Sequence, residues 1–227
     1  IAGRRFDAQV VLSPKTSPRG RLLEQYVLVR IIRMDGVDIG LFDFDRHNTL
    51  YYFALNAEEQ IYLRYGGRTA ESPTSHLDLD SLVLALEHGL DRHRHYQDGS
   101  FDPPPRPEPL FPRQIDSLRE KEMGRRRCVE CHLIADYQAQ NLQLAGRLDK
   151  TQTMYASPDL EVLGIQLDVS KGVEVDSAEG AAADAGLEAG DLITAIEGAP
   201  ILTFGDLQYR YEKLPRSSDR LRLEVER

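Results

Sequence analysis

Ala185-Gly186-Leu187-Glu188-Ala189-Gly190-Asp191-Leu192-Ile193 is the stretch on which the reading of the fold turns. Before it stand Leu163-Gly164-Ile165-Gln166-Leu167, Val173-Glu174-Val175 and Ser177-Ala178-Glu179-Gly180-Ala181-Ala182, and after it Ala195-Ile196-Glu197-Gly198. The chain around this block has 227 residues, more than one typical domain and compatible with two small ones. A hydrophobic fraction of 41% suffices for packed cores, and 29% charged residues is ordinary for a soluble protein. A net charge of −9 argues against a nucleic-acid binder and against a polybasic membrane anchor. No apolar run approaches the roughly 20 residues of a membrane span. With 2 Cys and no Trp, the chain is not a disulfide scaffold.

The block and its flanks resemble a PDZ domain of the bacterial kind over residues 158–227. Leu163-Gly164-Ile165-Gln166-Leu167 looks like the carboxylate-binding loop and the strand after it, Val173-Glu174-Val175 like the next strand, and Ala195-Ile196-Glu197-Gly198 like a strand and its Gly turn. Phe204 to Leu214 is expected as the second helix and Leu221 to Val225 as the last strand. The resemblance implies capture of a peptide's terminal carboxylate by backbone N–H groups, the peptide adding as a strand beside that helix. Leu163, Gly164, Ile165 and Gln166, with Leu207 and Tyr211 from the helix, are the expected peptide-binding residues. A groove blocked by neighbouring segments is the competing expectation.

Residues 1–100 read as an α/β unit. Gln25 to Ile32 is a β-branched apolar strand, Asn48 to Leu55 a second, Asn56-Ala57-Glu58-Glu59 a turn, and Gln60 to Tyr65 a returning strand stopped by Gly66-Gly67. Asp78 to His88 is helical, with Leu79, Leu82, Val83 and Leu86 at i, i+3, i+4, i+7. This order resembles the second half of a thioredoxin-like fold. No C-x-x-C precedes the Gln25 strand, and Asn48 holds the place of that family's cis-proline, so the resemblance implies a scaffold without thiol–disulfide chemistry. Asp43 and Asp45 alternate with Phe and read as a half-buried edge rather than a catalytic carboxylate pair.

Residues 101–157 shift in composition. Asp102 to Pro109 cannot form a helix or an interior strand and reads as an extended linker. It leads to Cys128-Val129-Glu130-Cys131-His132, which holds both cysteines of the chain. C-x-x-C-H is the pattern of covalent haem c attachment: the thiols add to the porphyrin vinyl groups and the adjacent imidazole reaches the iron. One haem c is therefore expected, with His132 as proximal ligand. The same thiols could form a redox pair, but that pair sits after a buried apolar strand at a helix N-terminus, and Arg125-Arg126-Arg127 is no such strand. Zinc normally takes four ligands, and only three stand here. Leu133 to Leu148 is compatible with a helix.

The second axial ligand stays open among Met154, His95 and His93, with His88 in the same cluster, or an externally supplied group. Met154 also reads as a packing residue and the histidines as a solvated helix end. Arg125 and Arg126 are candidates for the haem propionates, since Arg matches carboxylates bidentately, or form a solvated basic run.

The three parts together resemble multidomain exported proteins of planctomycete-type bacteria: a thioredoxin-like N-terminal domain, a Pro-rich linker with a haem-binding segment, and a PDZ-like C-terminal domain. The expected function is that of an exported monohaem electron carrier docked to a larger envelope or membrane complex. An adaptor subunit with structural or no haem and a thiol–disulfide oxidoreductase are the alternatives. The chain begins at Ile1 rather than Met. A cleaved signal peptide or a trimmed chain explains this, and the haem motif favours the first. Other protein subunits and a C-terminal peptide are the expected partners, in a periplasmic or otherwise extracytoplasmic compartment.

Overall fold

The computed structural model describes residues 2–123, 128–153, 159–215 and 217–227. Along the chain they form α1 (Ala2–Val11), α2 (Pro18–Leu23), β1 (Tyr52–Leu55), β2 (Ile61–Tyr65), α3 (Leu79–Gln97), α4 (Asp116–Lys121), α5 (Cys131–Leu144), α6 (Lys150–Thr153), β3 (Ile165–Leu167), β4 (Val175–Ala178), α7 (Gly180–Asp184), β5 (Leu192–Ile196), β6 (Ala199–Pro200), α8 (Phe204–Glu212) and β7 (Leu223–Glu226). The chain divides into two compact units. The first holds Ile1–Val27, Asn48–Pro103 and Ser157–Arg227, and the second holds Leu28–His47 and Pro104–Ala156.

In the first unit, β1 and β2 pair antiparallel with Tyr52 opposite Tyr65 and Leu55 opposite Ile61. Asn56 closes their turn as its side-chain oxygen accepts the N–H groups of Glu58 and Gln60 at 3.1 and 2.8 Å. Asp78 then caps α3, accepting from the N–H groups of Asp80 and Ser81 at 2.8 and 3.2 Å. Leu82 and Ala85 of α3 pack with Leu63 and Tyr65 of β2 and with Phe6 and Val10 of α1.

That packing overturns one expectation. Gln25 to Ile32 is no strand: the sheet here contains β1 and β2 alone, and Val27, Val29 and Ile32 are 92%, 80% and 81% exposed. β-branched residues favour a strand only where a pleated partner surface buries them, and the apolar side of the hairpin is covered by α3 and α1 instead. The hairpin-and-helix succession expected of a thioredoxin-like half is present. The wider sheet that defines such a fold is not found among the described residues.

The C-terminal part of the first unit has a β3–β4 ladder and a three-stranded sheet ordered β6-β5-β7. Ile165, Val175, Ile193, Ile196 and Leu207 form its core. Asp191, 1% exposed, is held inside by the Arg227 guanidinium at 2.7 Å and the Glu188 N–H at 2.9 Å, which keep its carboxyl below the usual range.

The second unit is built around Met34, Ile39, Ile115, Leu118, Val129 and Ile134. Asp38 organises its loops. Burial pushes its carboxyl up, but N–H donors from Leu110, Leu41 and Gly40 and the Arg106 guanidinium outweigh that and hold it below the ordinary range. The Pro103–Pro109 stretch carries no helix or strand, as its composition dictates, and Pro112 opens a 3-10 turn over Pro112–Gln114.

Candidate functional site

Two places concentrate the chemistry that the sequence singles out, one in each unit. The first is the C-x-x-C-H turn. Val129 between the cysteines is buried, and its carbonyl accepts the Met34 N–H at 3.1 Å, fixing the turn to the core of the second unit. Cys128 is exposed, Cys131 half-buried as the first residue of α5, and both thiols are free. His132 is 57% exposed in its side chain and stands 3.7 Å from the Glu130 carboxylate. Burial pushes the Cys131 thiol up, against the pull of the Arg46 charge.

The donor set fits a covalent haem: two free thiols and an accessible imidazole within one short turn. Sequence reasoning missed two cations beside it. Arg33 lies close enough to Cys128, and Arg46 to Cys131, for charge interaction. Arg46 is the more telling, with a side chain 8% exposed, bonds to the Asp43 carboxylate at 3.2 Å and the Ile39 carbonyl at 2.8 Å, and a buried Nε without a hydrogen-bond partner. No motif marks an isolated Arg some 80 residues upstream in the chain, so only the fold reveals it.

The other haem-related expectations scatter. Arg125, Arg126 and Met154 lie outside the described residues. His93 and His95 lie on α3 of the first unit, with His93 Nδ1 2.9 Å from the Tyr62 hydroxyl and His95 Nδ1 2.9 Å from the Asp91 carbonyl. His88 on the same helix has its pKa lowered, chiefly by burial. Met34 and Met123, by contrast, belong to the core of the second unit together with Cys131. Among the described residues, no group of three His, Cys, Asp or Glu side chains converges as a bare metal site.

The second place is the surface formed by α8, β3 and the loop before β3. The loop is a 3-10 turn over Leu160–Leu163 closed by Gly164 at φ +82°. A Cβ on Gly164 would stand 2.0 Å from the Glu179 carbonyl, whose own N–H donates to the Gly164 carbonyl at 2.7 Å. Only glycine fits there. The N–H groups of Val162 and Gly164 are already taken by the carbonyls of Asp159 and Glu161, at 2.9 and 3.0 Å. Gln166 is exposed on β3, and Leu163 and Ile165 pack into the core.

Leu207 does not line a groove: at 1% exposure it is a core residue. Thr203 is the N-cap of α8, accepting the Asp206 N–H at 3.2 Å, which makes Phe204 the first helical residue. Phe204, Gln208 and Tyr211 then share one face at i, i+4, i+7. Tyr211 packs against the core as well, with Leu207 and Gln208 as its neighbours one turn back. The T-x-x-D capping pattern at Thr203–Asp206 marks where this helix starts.

Residues 173–227 match the PDZ domain family, so this part of the chain is a PDZ domain. No curated protein and no solved structure matches the chain. PDZ domains generally mediate protein–protein interaction, which fits a function through protein partners. Among the described residues, no helix is long and apolar enough to cross a membrane.

Proposed function

We propose that the protein is an exported, haem-bearing interaction subunit: its PDZ domain docks protein partners and its C-x-x-C-H turn carries one covalent haem c. The observation that supports this reading is the segment itself, its donors close in sequence and pinned by Val129, with both thiols free, Cys128 exposed, Cys131 half-buried and His132 exposed. Cys128 and Cys131 would hold the group through thioethers formed by adding S–H across its vinyl groups, and His132 would ligate its iron. Bound, such a group supplies one-electron transfer. Arg46, with its unpaired Nε, and Arg33 supply positive charge beside the two thiols. Attachment of this kind takes place outside the cytoplasm in bacteria, hence the exported compartment and a docked electron-transfer role in an envelope complex.

Production of the chain together with a haem c maturation system tests the reading. The expected outcome is a Soret band that survives denaturation and a mass raised by one haem, both lost in Cys128→Ala/Cys131→Ala. An unmodified mass in the parent chain rejects it. A second reading, an adaptor without haem, is favoured by the PDZ domain. It predicts that Cys128→Ala leaves assembly with partners intact.

A further inference from the structure

Beside the PDZ helix lies a segment of the chain's own N-terminal part. β2 ends at Tyr65, and its Arg64 is fastened to the start of α8. The Arg64 N–H donates to the Asp206 carboxylate at 2.9 Å, and the Thr203 hydroxyl donates to the Arg64 carbonyl. The Tyr51 hydroxyl adds a bond to the Gly205 carbonyl at 3.0 Å. From this anchor the chain passes onto the face of Phe204 and Gln208. Gly67, at φ +146°, lies so close that a Cβ would stand 2.3 Å from the Phe204 ring. The Gln208 amide clamps the next residue from both sides, its Nε2 donating to the Arg68 carbonyl at 2.8 Å and its Oε1 accepting the Arg68 N–H at 3.4 Å. The Ala70 N–H then donates to the Asp159 carboxylate at 2.9 and 3.2 Å, directly before the Leu160–Leu163 turn.

The segment therefore runs from the first residue of α8 toward the carboxylate loop. A C-terminal peptide whose carboxylate ends in that loop must run the same way. The strand side differs: β3 pairs with β4 and with no other strand among the described residues.

We propose that Gly66–Ala70 is a built-in occupant of the helix wall of the PDZ groove, which a carboxy-terminal peptide must displace before it can pair with β3. This rests on the reading of the PDZ domain as a peptide binder. The hold is suited to release. It consists of side-chain bonds to single backbone groups along a Gly-Gly start, whereas the Arg64 anchor can stay in place while the segment lifts.

The test uses the full chain, a fluorescent pool of peptides with a free carboxylate after an apolar last residue, and the same pool amidated. Gly67→Val forces the segment off Phe204. Ala70→Pro, at an exposed position, removes the N–H that meets Asp159 and serves if the first variant does not fold. Hydrogen exchange at Arg68 and Ala70 reports release independently of binding. The expected result is at least ten-fold tighter binding of the free-carboxylate pool by either variant, no binding of the amidated pool, and faster exchange at Ala70 when peptide binds the parent chain. Equal binding by parent and variants overturns the occupant and leaves the peptide reading standing. Binding by none of them, with Arg68 released in either variant, overturns both.

Discussion

Asp206 carries an unusual electrostatic load for a helix-capping residue. It is 8% exposed, and burial pushes its carboxyl up to about 6, against the opposing pull of the Arg64 N–H and the Arg64 charge. Its ordinary value is 3.8. An acid with a raised folded-state pKa contributes stability that is complete below its unfolded value and lost as pH rises through about 6. The gap corresponds to roughly 3 kcal/mol. Asp206→Asn should therefore be more stable relative to the parent chain at pH 7 than at pH 4, by up to that amount, in urea midpoints at the two pH values. His76, stacked on Phe204 at 3.3 Å, has the opposite sign. Burial lowers its pKa to about 4, so its contribution is present above its ordinary 6.5 and lost as pH falls through about 4. In His76→Phe the acid loss should shrink, and an unchanged pH profile would refute this. Neither group was legible in the sequence, because an isolated Asp or His shows no environment until distant segments close over it. Cys128, Cys131 and His132 stand out in the sequence because the C-x-x-C-H pattern is local spacing and needs no folded environment to be seen.

At the scale of elements, local signals worked where they were self-contained. The Asn56 turn and the helix after Asp78 satisfy their polar groups within a few residues, and α3 runs on to Gln97. Removing the cap in Asp78→Ala should cost about 1 kcal/mol, read from thermal or urea unfolding. Recognition of the C-terminal elements came from the order of their glycines and apolar runs, and α8, β4 and β7 appear within a few residues of their expected places. Gln25 to Ile32 misled because apolar alternation states only that a segment can be buried as a strand, not that a partner will be there. Leu207 misled because an apolar helix residue that lines a groove and one that fills the core beneath it look alike until the packing closes over them.

For the whole molecule, the division into two units has a measurable consequence. Leu118 is 0% exposed in the core of the second unit, so Leu118→Ala should cost about 2–5 kcal/mol there. Calorimetry should show that loss in one transition while the PDZ-containing unit keeps its own. The linear order of the chain conceals this division, since the sequence suggests three successive parts, 1–100, 101–157 and 158–227. The structure instead sends the backbone from one unit to the other and back.

That interleaving bears on what proteolysis would do. Ala145, Gly146 and Arg147 are exposed after α5, so a tryptic cut at Arg147 severs the backbone at the surface. The two fragments should nonetheless migrate together on a native gel and part only in denaturant, because the PDZ fragment stays fastened to the hairpin through Arg64, Thr203 and Asp206. Cleavage of this chain would be invisible by size until the fold is undone.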